Sequence, residues 1–359
     1  MSYVLAFAGF ALLIILHEAG HFAAAKAVGM RVERFALFFP PLRFKVRRGE
    51  TEYGIGAIPL GGYVRITGMN PHEEIPEEHA HRAYFRQPVW KRIVVIAAGP
   101  LVNVLIAFVI LTGLFVVKGE PATLNKVAPV ALEAPARGAL QPGDQLLTVD
   151  GRKADPVTVR EALARHACKV QPPVAGCSGA TPAVLKVRRH GQVLTLRIAP
   201  RYDATLKRMR LGFSFDTGYV DKSLPQSAGL AVSGMWRVSR ETVQAIGRIF
   251  YDSKARQNVS GVVGSYEVTR ESFKFDLAQA LNVLAIVSLS LAVVNLFPFL
   301  PLDGGHIFWA LAEKVRGRPI SFSVIERASA VGFLLVIMLF VIGLSNDIGR
   351  LRGQGFGVR

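Results

Sequence analysis

The stretch "ALLIILHEAGHFAAAKAV", residues 11–28, sets His17, Glu18 and His21 in the middle of a run that otherwise reads as hydrocarbon-soluble helix. An ionisable side chain at the centre of a membrane costs roughly 3 kcal/mol even on lenient insertion scales, so its presence there points to function. Residues four apart share a helix face, so His17 and His21 can grip one ion while Glu18 sits a step round the helix beside it. Such a donor set suits zinc, which commonly takes three protein ligands at a reactive site and keeps a fourth position open. The stretch "NLFPFLPLDGGH", residues 295–306, offers the third ligand in Asp303. Pro298 and Pro301 break the helix there, and the two glycines that follow let backbone come close. Irregular backbone at membrane depth is tolerated only inside protein or beside a water-filled cavity, and zinc chemistry needs that water.

The rest of the composition fits a membrane setting. Of 359 residues, 51% are hydrophobic and the mean hydropathy is +0.33. Four runs are long enough to span: 3–28, 93–117, 277–302 and 328–344, the last at about 17 residues being near the lower limit. No basic segment precedes the first run and no small-residue cleavage site follows it, so it reads as a retained helix and not a signal peptide. The net charge of +17 is spread along the chain and no nucleic-acid-binding motif accompanies it. Anionic lipid is therefore the expected partner of these bases, and nucleic acid is not. Lys26, Arg31 and Arg34 follow the first run, Lys91 and Arg92 precede the second, and Lys314, Arg316 and Arg318 follow the third. By the positive-inside rule these flanks are cytoplasmic, which leaves the N-terminus and residues 118–275 outside. Arg350, Arg352 and Arg359 in the tail argue mildly the other way. With that topology the first and third spans run in the same direction, and His17, His21 and Asp303 lie toward the same membrane face.

Between the spans, residues 34–68 read as a β-hairpin turning near Arg47 to Thr51, with Gly54, Gly56, Gly61 and Gly62 stripping its second strand. Glycine weakens a strand unless another backbone must approach, as it would at a peptide-accepting edge formed by Gly54, Ile55, Gly56, Ala57 and Ile58. A merely flexible connector is the alternative. Residues 120–202 change to short β-like runs, among which "ALQPGDQLLTVDGR" resembles the strand and turn of a PDZ domain, whose groove takes up extended peptide. A connector, 203–275, carries an amphipathic helix at 234–252, with Trp236, Val243, Ile246, Ile249 and Phe250 near one face; it suits a membrane surface or packing on the soluble domain. The His- and acid-rich stretch 70–82 reads as a solvated loop. Cys168 and Cys177, the only cysteines, are either a disulfide in an outside compartment or two free thiols. The expected architecture is an α-helical polytopic membrane protein of about four transmembrane helices, with a membrane-associated β-hairpin and an inserted mainly-β PDZ-like domain. Its core halves are 1–117 and 276–359.

Taken together, "HEAGH", "IPLGGYV", "NLFPFLPLDGGH" and the PDZ-like stretch, in that order over nearly the whole chain, resemble the site-2 protease family of intramembrane zinc metalloproteases. The likeness is greatest to the bacterial type, here with a single PDZ domain, that cuts membrane-anchored anti-sigma factors. The resemblance implies one zinc ion held by His17, His21 and Asp303, with Glu18 as catalytic base and Asn295 assisting near the substrate carbonyl. It also implies a strand at Gly54–Ile58 that pairs with unwound substrate. The substrate would be a transmembrane protein already trimmed by another protease, the PDZ-like groove would bind peptide, and the enzyme would reside in the bacterial cytoplasmic membrane. Two positions depart from the family pattern: Leu300 precedes Pro301 where a proline is usual, and "SGVVG" has Val262 for proline. A catalytically silent PDZ scaffold and a metal transporter are the alternatives from other classes, and Glu18 between the histidines argues against both.

The orientation predicts that, in intact cells, a membrane-impermeant thiol reagent labels Cys168 and Cys177 only after mild reduction. A cysteine placed at Arg48 should stay unlabelled, and labelling at position 48 alone would invert the topology.

Overall fold

The computed structural model describes residues 1–69, 73–130, 132–168, 170, 172–353 and 355. Residues 70–72, with His72 of the His- and acid-rich stretch, lie outside the described residues, as does Arg359. In chain order the elements are α1 Ser2–Ala27, β1 Val32–Arg48, β2 Thr51–Ile66, the one-turn α2 Glu77–Ala80, α3 Val89–Lys118, β3 Glu120–Val127, β4 Gln145–Val149 and β5 Arg152–Lys153. Then follow α4 Pro156–Ala164, β6 Ala183–Arg189, β7 Gln192–Ile198, β8 Arg201–Asp203, β9 Arg208–Arg210, β10 Phe215–Val220, α5 Leu224–Ile249 and α6 Ser253–Asn258. The chain ends with α7 Val262–Phe275, α8 Leu277–Asn295, α9 Asp303–Arg316 and α10 Phe322–Arg352. They form two units, one of residues 1–117 with 223 onward, the other Lys118–Lys222.

Four helices among the described residues are long and apolar enough to cross a membrane: α1, α3, α8 and, from Ser323, α10. Three of the expected spans change length. The run 93–117 is part of a 30-residue helix, α3. The run 277–302 stops being helix at Asn295, ahead of Pro298, because the residue before a proline is pushed out of the α region and two prolines lie within six positions. The run 328–344 is the middle of a 31-residue helix, α10. Hydropathy alone truncated it, since Glu326, Arg327, Asp347 and Arg350 extend the helix at both ends without breaking it.

The hairpin is a small sheet of four passes. Arg34 to Leu37 lie between Gly62–Arg65, which run antiparallel to them, and Glu52–Ile55, in ascending register from Arg34 with Glu52 to Leu37 with Ile55. Phe44 to Arg48 pair with the other side of Thr51–Ile55. The sheet order is therefore 62–66, 32–37, 51–55, 42–48. It lies along α1: Lys26 pairs with Glu50 at the turn, Phe22 packs on Phe35 and Tyr53, and Phe7 meets Phe38 with ring centroids 6.1 Å apart. From Lys26 to Phe7 is about 28 Å of helix, close to the thickness of bilayer hydrocarbon. Glu50 also accepts from Arg82, whose guanidinium is the chief reason its carboxyl is held down at about 2.

In the second unit, β10-β3-β4-β6-β7 form the main sheet, with β5 paired to β4. Val127, Leu146, Val149, Leu185 and Val187 fill its core with Val159 and Leu163 of α4. Asp155 caps α4 by accepting from the Val157 and Thr158 amides. Cys168 and Cys177 are joined as a disulfide. The boundary expected at residue 202 falls inside this unit, because β10 returns to pair with β3 from Phe215↔Val127 to Val220↔Glu120 and so covers an otherwise bare edge.

The amphipathic helix is also longer than 234–252. A capping box between Ser223 and Gln226 starts α5 at Leu224. Its small side, Ala231 and Met235, packs on Ala107 and Leu111 of α3 and Ala285 and Leu289 of α8, while Trp236, Val243 and Phe250 face outward.

The "SGVVG" stretch opens α7, with Gly261 as its N-cap and Val262 in the first helical position, a place where proline is common and where valine also starts the helix here. Asp347 of α10 is fully buried and accepts from the amides of Gly261 (3.1 Å) and Gly264 (2.7 Å) and from the Ser260 hydroxyl (3.4 Å). A carboxylate at the amino end of α7 satisfies orphan amides and the positive end of the helix together. Asp347→Ala should therefore destabilise the protein by about 2 kcal/mol or more, the cost of buried donors left unpaired. Asp347→Asn should not rescue it, because its NH2 would face an N–H; unfolding midpoints in detergent would check both.

Candidate metal centre

His17 and His21 are four residues apart on α1 and both buried. Their Nε2 atoms are 3.2 Å apart. Asp303, the first residue of α9, brings Oδ2 to 3.3 Å from His17 Nε2 and 3.4 Å from His21 Nε2. Ligands held about 2.0–2.1 Å from a zinc ion at tetrahedral angles are about 3.3–3.4 Å from one another, so this triangle has the size that zinc requires. Oδ2 is buried and has no hydrogen-bond donor, as an oxygen reserved for a cation should be. Among the described residues no other trio of His, Cys, Asp or Glu has ligand atoms so close together.

Glycine lets the three elements meet. A Cβ at Gly99 of α3 would stand 2.2 Å from His21 Nε2, and one at Gly20 of α1 would stand 2.6 Å from the Ala98 carbonyl oxygen. Residues 296–302 fold back over the start of α9, where a Cβ at Gly304 would lie 2.2 Å from Leu296 O and one at Gly305 2.5 Å from Leu300 N. Leu300, in the position where the family pattern has proline, is buried, and its carbonyl oxygen occupies the space beside Gly332 of α10. The turn is thus clamped from two sides, and Asp303 is carried back to the histidines as the broken-helix expectation required.

Glu18 is half-buried beside the ligands. A Cβ at Gly62 would stand 2.6 Å from Glu18 Cγ, and the Val64 backbone amide is turned toward the carboxyl. The pass 62–66 therefore runs past Glu18. Asn295 is the last residue of α8, half-buried, and its side chain has no hydrogen-bond partner among the described residues.

The expected substrate strand, Gly54–Ile58, is not an edge. Gly54 and Ile55 have β1 neighbours on both sides, Gly56 pairs with Leu42 and Ile58 with Phe39. Its glycines are there because β1 presses on them: a Cβ at Gly54 would be 2.8 Å from Phe44 O and one at Gly56 2.1 Å from Phe39 O. The edge nearer Glu18 is 62–66, which has no second strand partner among the described residues.

Two groups on α3, with no local sequence signature beside HEAGH, meet the histidine rings. The Val95 carbonyl takes a hydrogen bond from His21 Nδ1 (2.9 Å), and the Asn103 amide meets His17 Nδ1 (3.1 Å). Asn103 is the one side-chain amide in an otherwise apolar span, the same kind of signal that marks HEAGH.

The sequence profile of peptidase family M50 matches residues 5–339. The chain belongs to that family, the site-2 proteases. It is 29% identical to a candidate zinc metalloprotease of Rhizobium meliloti over 95% of each chain. It is 30% identical to one of Clostridium perfringens over 97% of this chain and 98% of the relative, and 27% identical to one of a Nostoc species over 99% and 98%. The M50 enzymes are zinc-dependent, and the residues that fit the ion here are His17, His21 and Asp303.

Replacing Glu18 by Gln should leave zinc bound while lowering peptide-bond cleavage by about 100-fold or more, the usual contribution of a general base. Asp303→Ala, His21→Ala and Gly99→Val should each lower zinc content, the last by pushing the His21 ring aside with Glu18 untouched. Metal analysis of the purified variants beside a cleavage assay separates the two groups.

Proposed function

We propose that this M50 protein is an intramembrane endopeptidase that hydrolyses peptide bonds within transmembrane segments of membrane-anchored proteins. The observation that carries the reading is that the three zinc-fitting atoms and Glu18 sit on or against a membrane-length helix, His17 being about 22 Å along it from Ser2. Zinc held by His17, His21 and Asp303 supplies Lewis acidity toward a peptide carbonyl and makes a water molecule easier to deprotonate. Glu18 takes the water's proton and returns it to the leaving amine. Asn295, with a free amide at the end of α8, steadies the substrate carbonyl.

A transmembrane substrate hides its amides in its own helix, and unwinding in hydrocarbon leaves each one unsatisfied at a cost of several kcal/mol. The unpaired edge 62–66 can receive them by strand addition, and its passage beside Glu18 delivers the extended peptide to the site. This replaces Gly54–Ile58 as the accepting strand. The family resemblance favours anti-sigma factors, trimmed first by another protease, as the substrate class. The basic flanks at Lys26, Lys91 and Lys314 support a site toward the cytoplasmic face of a bacterial inner membrane, and the Cys168–Cys177 disulfide supports an outside position for the second unit. That unit's antiparallel sheet with α4 packed on it supports a PDZ-like, peptide-binding role.

Substrates with Gly, Pro or Asn near the cut should be cleaved faster than an uninterrupted Leu helix, since these residues lower the cost of leaving the helix. In a Glu18→Gln background, a cysteine at Tyr63 or Arg65 should cross-link to a cysteine near the scissile bond, and one at Phe44 on the opposite edge should not. Cross-linking at Phe44 alone would move the substrate to the far side of the sheet.

A further inference from the structure

Both histidines must offer a bare Nε2 lone pair to hold the ion, and an imidazole does so only when its proton sits on Nδ1. For His21 the fold enforces this. Its Nδ1 lies 2.9 Å from the Val95 carbonyl, and a carbonyl can only accept, so the proton is on Nδ1.

His17 has a different partner. Its Nδ1 lies 3.1 Å from Asn103 Nδ2, while Asn103 Oδ1 is buried with no donor. In that orientation the amide donates to Nδ1 and drives the imidazole proton onto Nε2. There it would point at His21 Nε2, 3.2 Å away, and at the place of the ion. The nitrogen and oxygen of an amide are alike in size, and chemistry decides which faces which neighbour. Turning the amide over sets Oδ1 against Nδ1, where it accepts the proton and frees Nε2.

We infer that Asn103 is a positioning residue for the metal centre: its Oδ1 accepts from His17 Nδ1–H and so fixes the ring in the form that can bind zinc. A metal-bound histidine is usually oriented by a carboxylate, carbonyl or water on its other nitrogen. A carboxylate at position 103 would add a third negative group beside Glu18 and Asp303 in an apolar span, and an amide supplies the acceptor without the charge. Asn103 is fully buried. Its own backbone carbonyl takes a hydrogen bond from Ser288 of α8 at 3.0 Å, so α3 and α8 are tied together at the level of the site. The inference rests on zinc being the ion held by His17, His21 and Asp303.

The test uses the full-length protein in detergent, with zinc affinity measured by chelator competition and the unfolding midpoint of the zinc-free form measured alongside. Zinc binding by the wild type tests the centre itself; the ratios between variants test Asn103. Asn103→Leu, similar in size but without an acceptor, should weaken zinc binding about 10- to 100-fold with the zinc-free midpoint little changed. Asn103→Asp keeps an acceptor and loses the donor, and should bind zinc within a few fold of wild type. Wild-type affinity in Asn103→Leu, or a loss in Asn103→Asp equal to that in Asn103→Leu, would overturn the assignment. Should Asn103→Leu not fold, the smaller Asn103→Ala, which also lacks an acceptor, takes its place. Weakened zinc binding in it beside near-wild-type binding in Asn103→Asp supports the inference, and wild-type affinity refutes it.

Discussion

The approach of one Asp303 oxygen to both His17 Nε2 and His21 Nε2 is the contact around which the membrane unit is arranged. Two imidazoles and two carboxylates are costly to bury together in an apolar region and are stabilised there by a cation and by hydrogen bonds on their remaining atoms. Each neighbouring element has a glycine where it must come near: Gly99 on α3, Gly62 on β2, and Gly304 and Gly305 at the start of α9. Any side chain at these points would intrude on His21, Glu18 or the turn that carries Asp303. The site is thus assembled by backbone proximity, and the polar atoms of α3, Val95 O and the Asn103 amide, complete the histidine rings.

The sheet beside α1 is likewise assembled by pairing backbone with backbone. Four short passes close most of their hydrogen bonds on one another, with the two halves of β1 covering both sides of 51–55. At one end the sheet is held by polar groups, Glu50 with Arg82 and Lys26. At the other its aromatic side chains meet α1 at Phe7. An unpaired edge is a liability in an ordinary sheet. Here one such edge lies alongside Glu18, where a guest strand would be of use. At the far end of α1, Tyr266 donates to the Tyr3 carbonyl and Arg270 lies over the Tyr3 ring while paired with Glu267 and Glu271. Together with Asp347 these contacts fix α7 against α1 and α10.

His17, Glu18, His21 and Asp303 were legible in the chain because an intramembrane charge is costly and helical spacing is rigid: i and i+4 meet wherever the helix lies. The spans were legible from hydropathy, and their ends were not, because α10 tolerates Glu326 and Asp347 inside a helix, and the prolines after Asn295 end α8 earlier than the apolar run does. The glycine-rich strand was recognised as a place of close approach, but not what approaches it. Alternation along 51–66 cannot tell whether the neighbour is a substrate or β1 itself; the register, with Ile55 facing both Leu37 and Phe44, decides that.

Sequence by itself thus pointed to the donor set, the ion it suits and the apolar setting, all from local spacing and the cost of burying charge. Tertiary structure alone decided which edge of the sheet is open, how far the second unit extends past residue 202, and which atoms of α3 meet the histidine rings. Those depend on pairing between residues far apart in the chain. Val95 and Asn103 reach His21 and His17 across separations of 74 and 86 residues, and no local pattern encodes a hydrogen bond made at that distance.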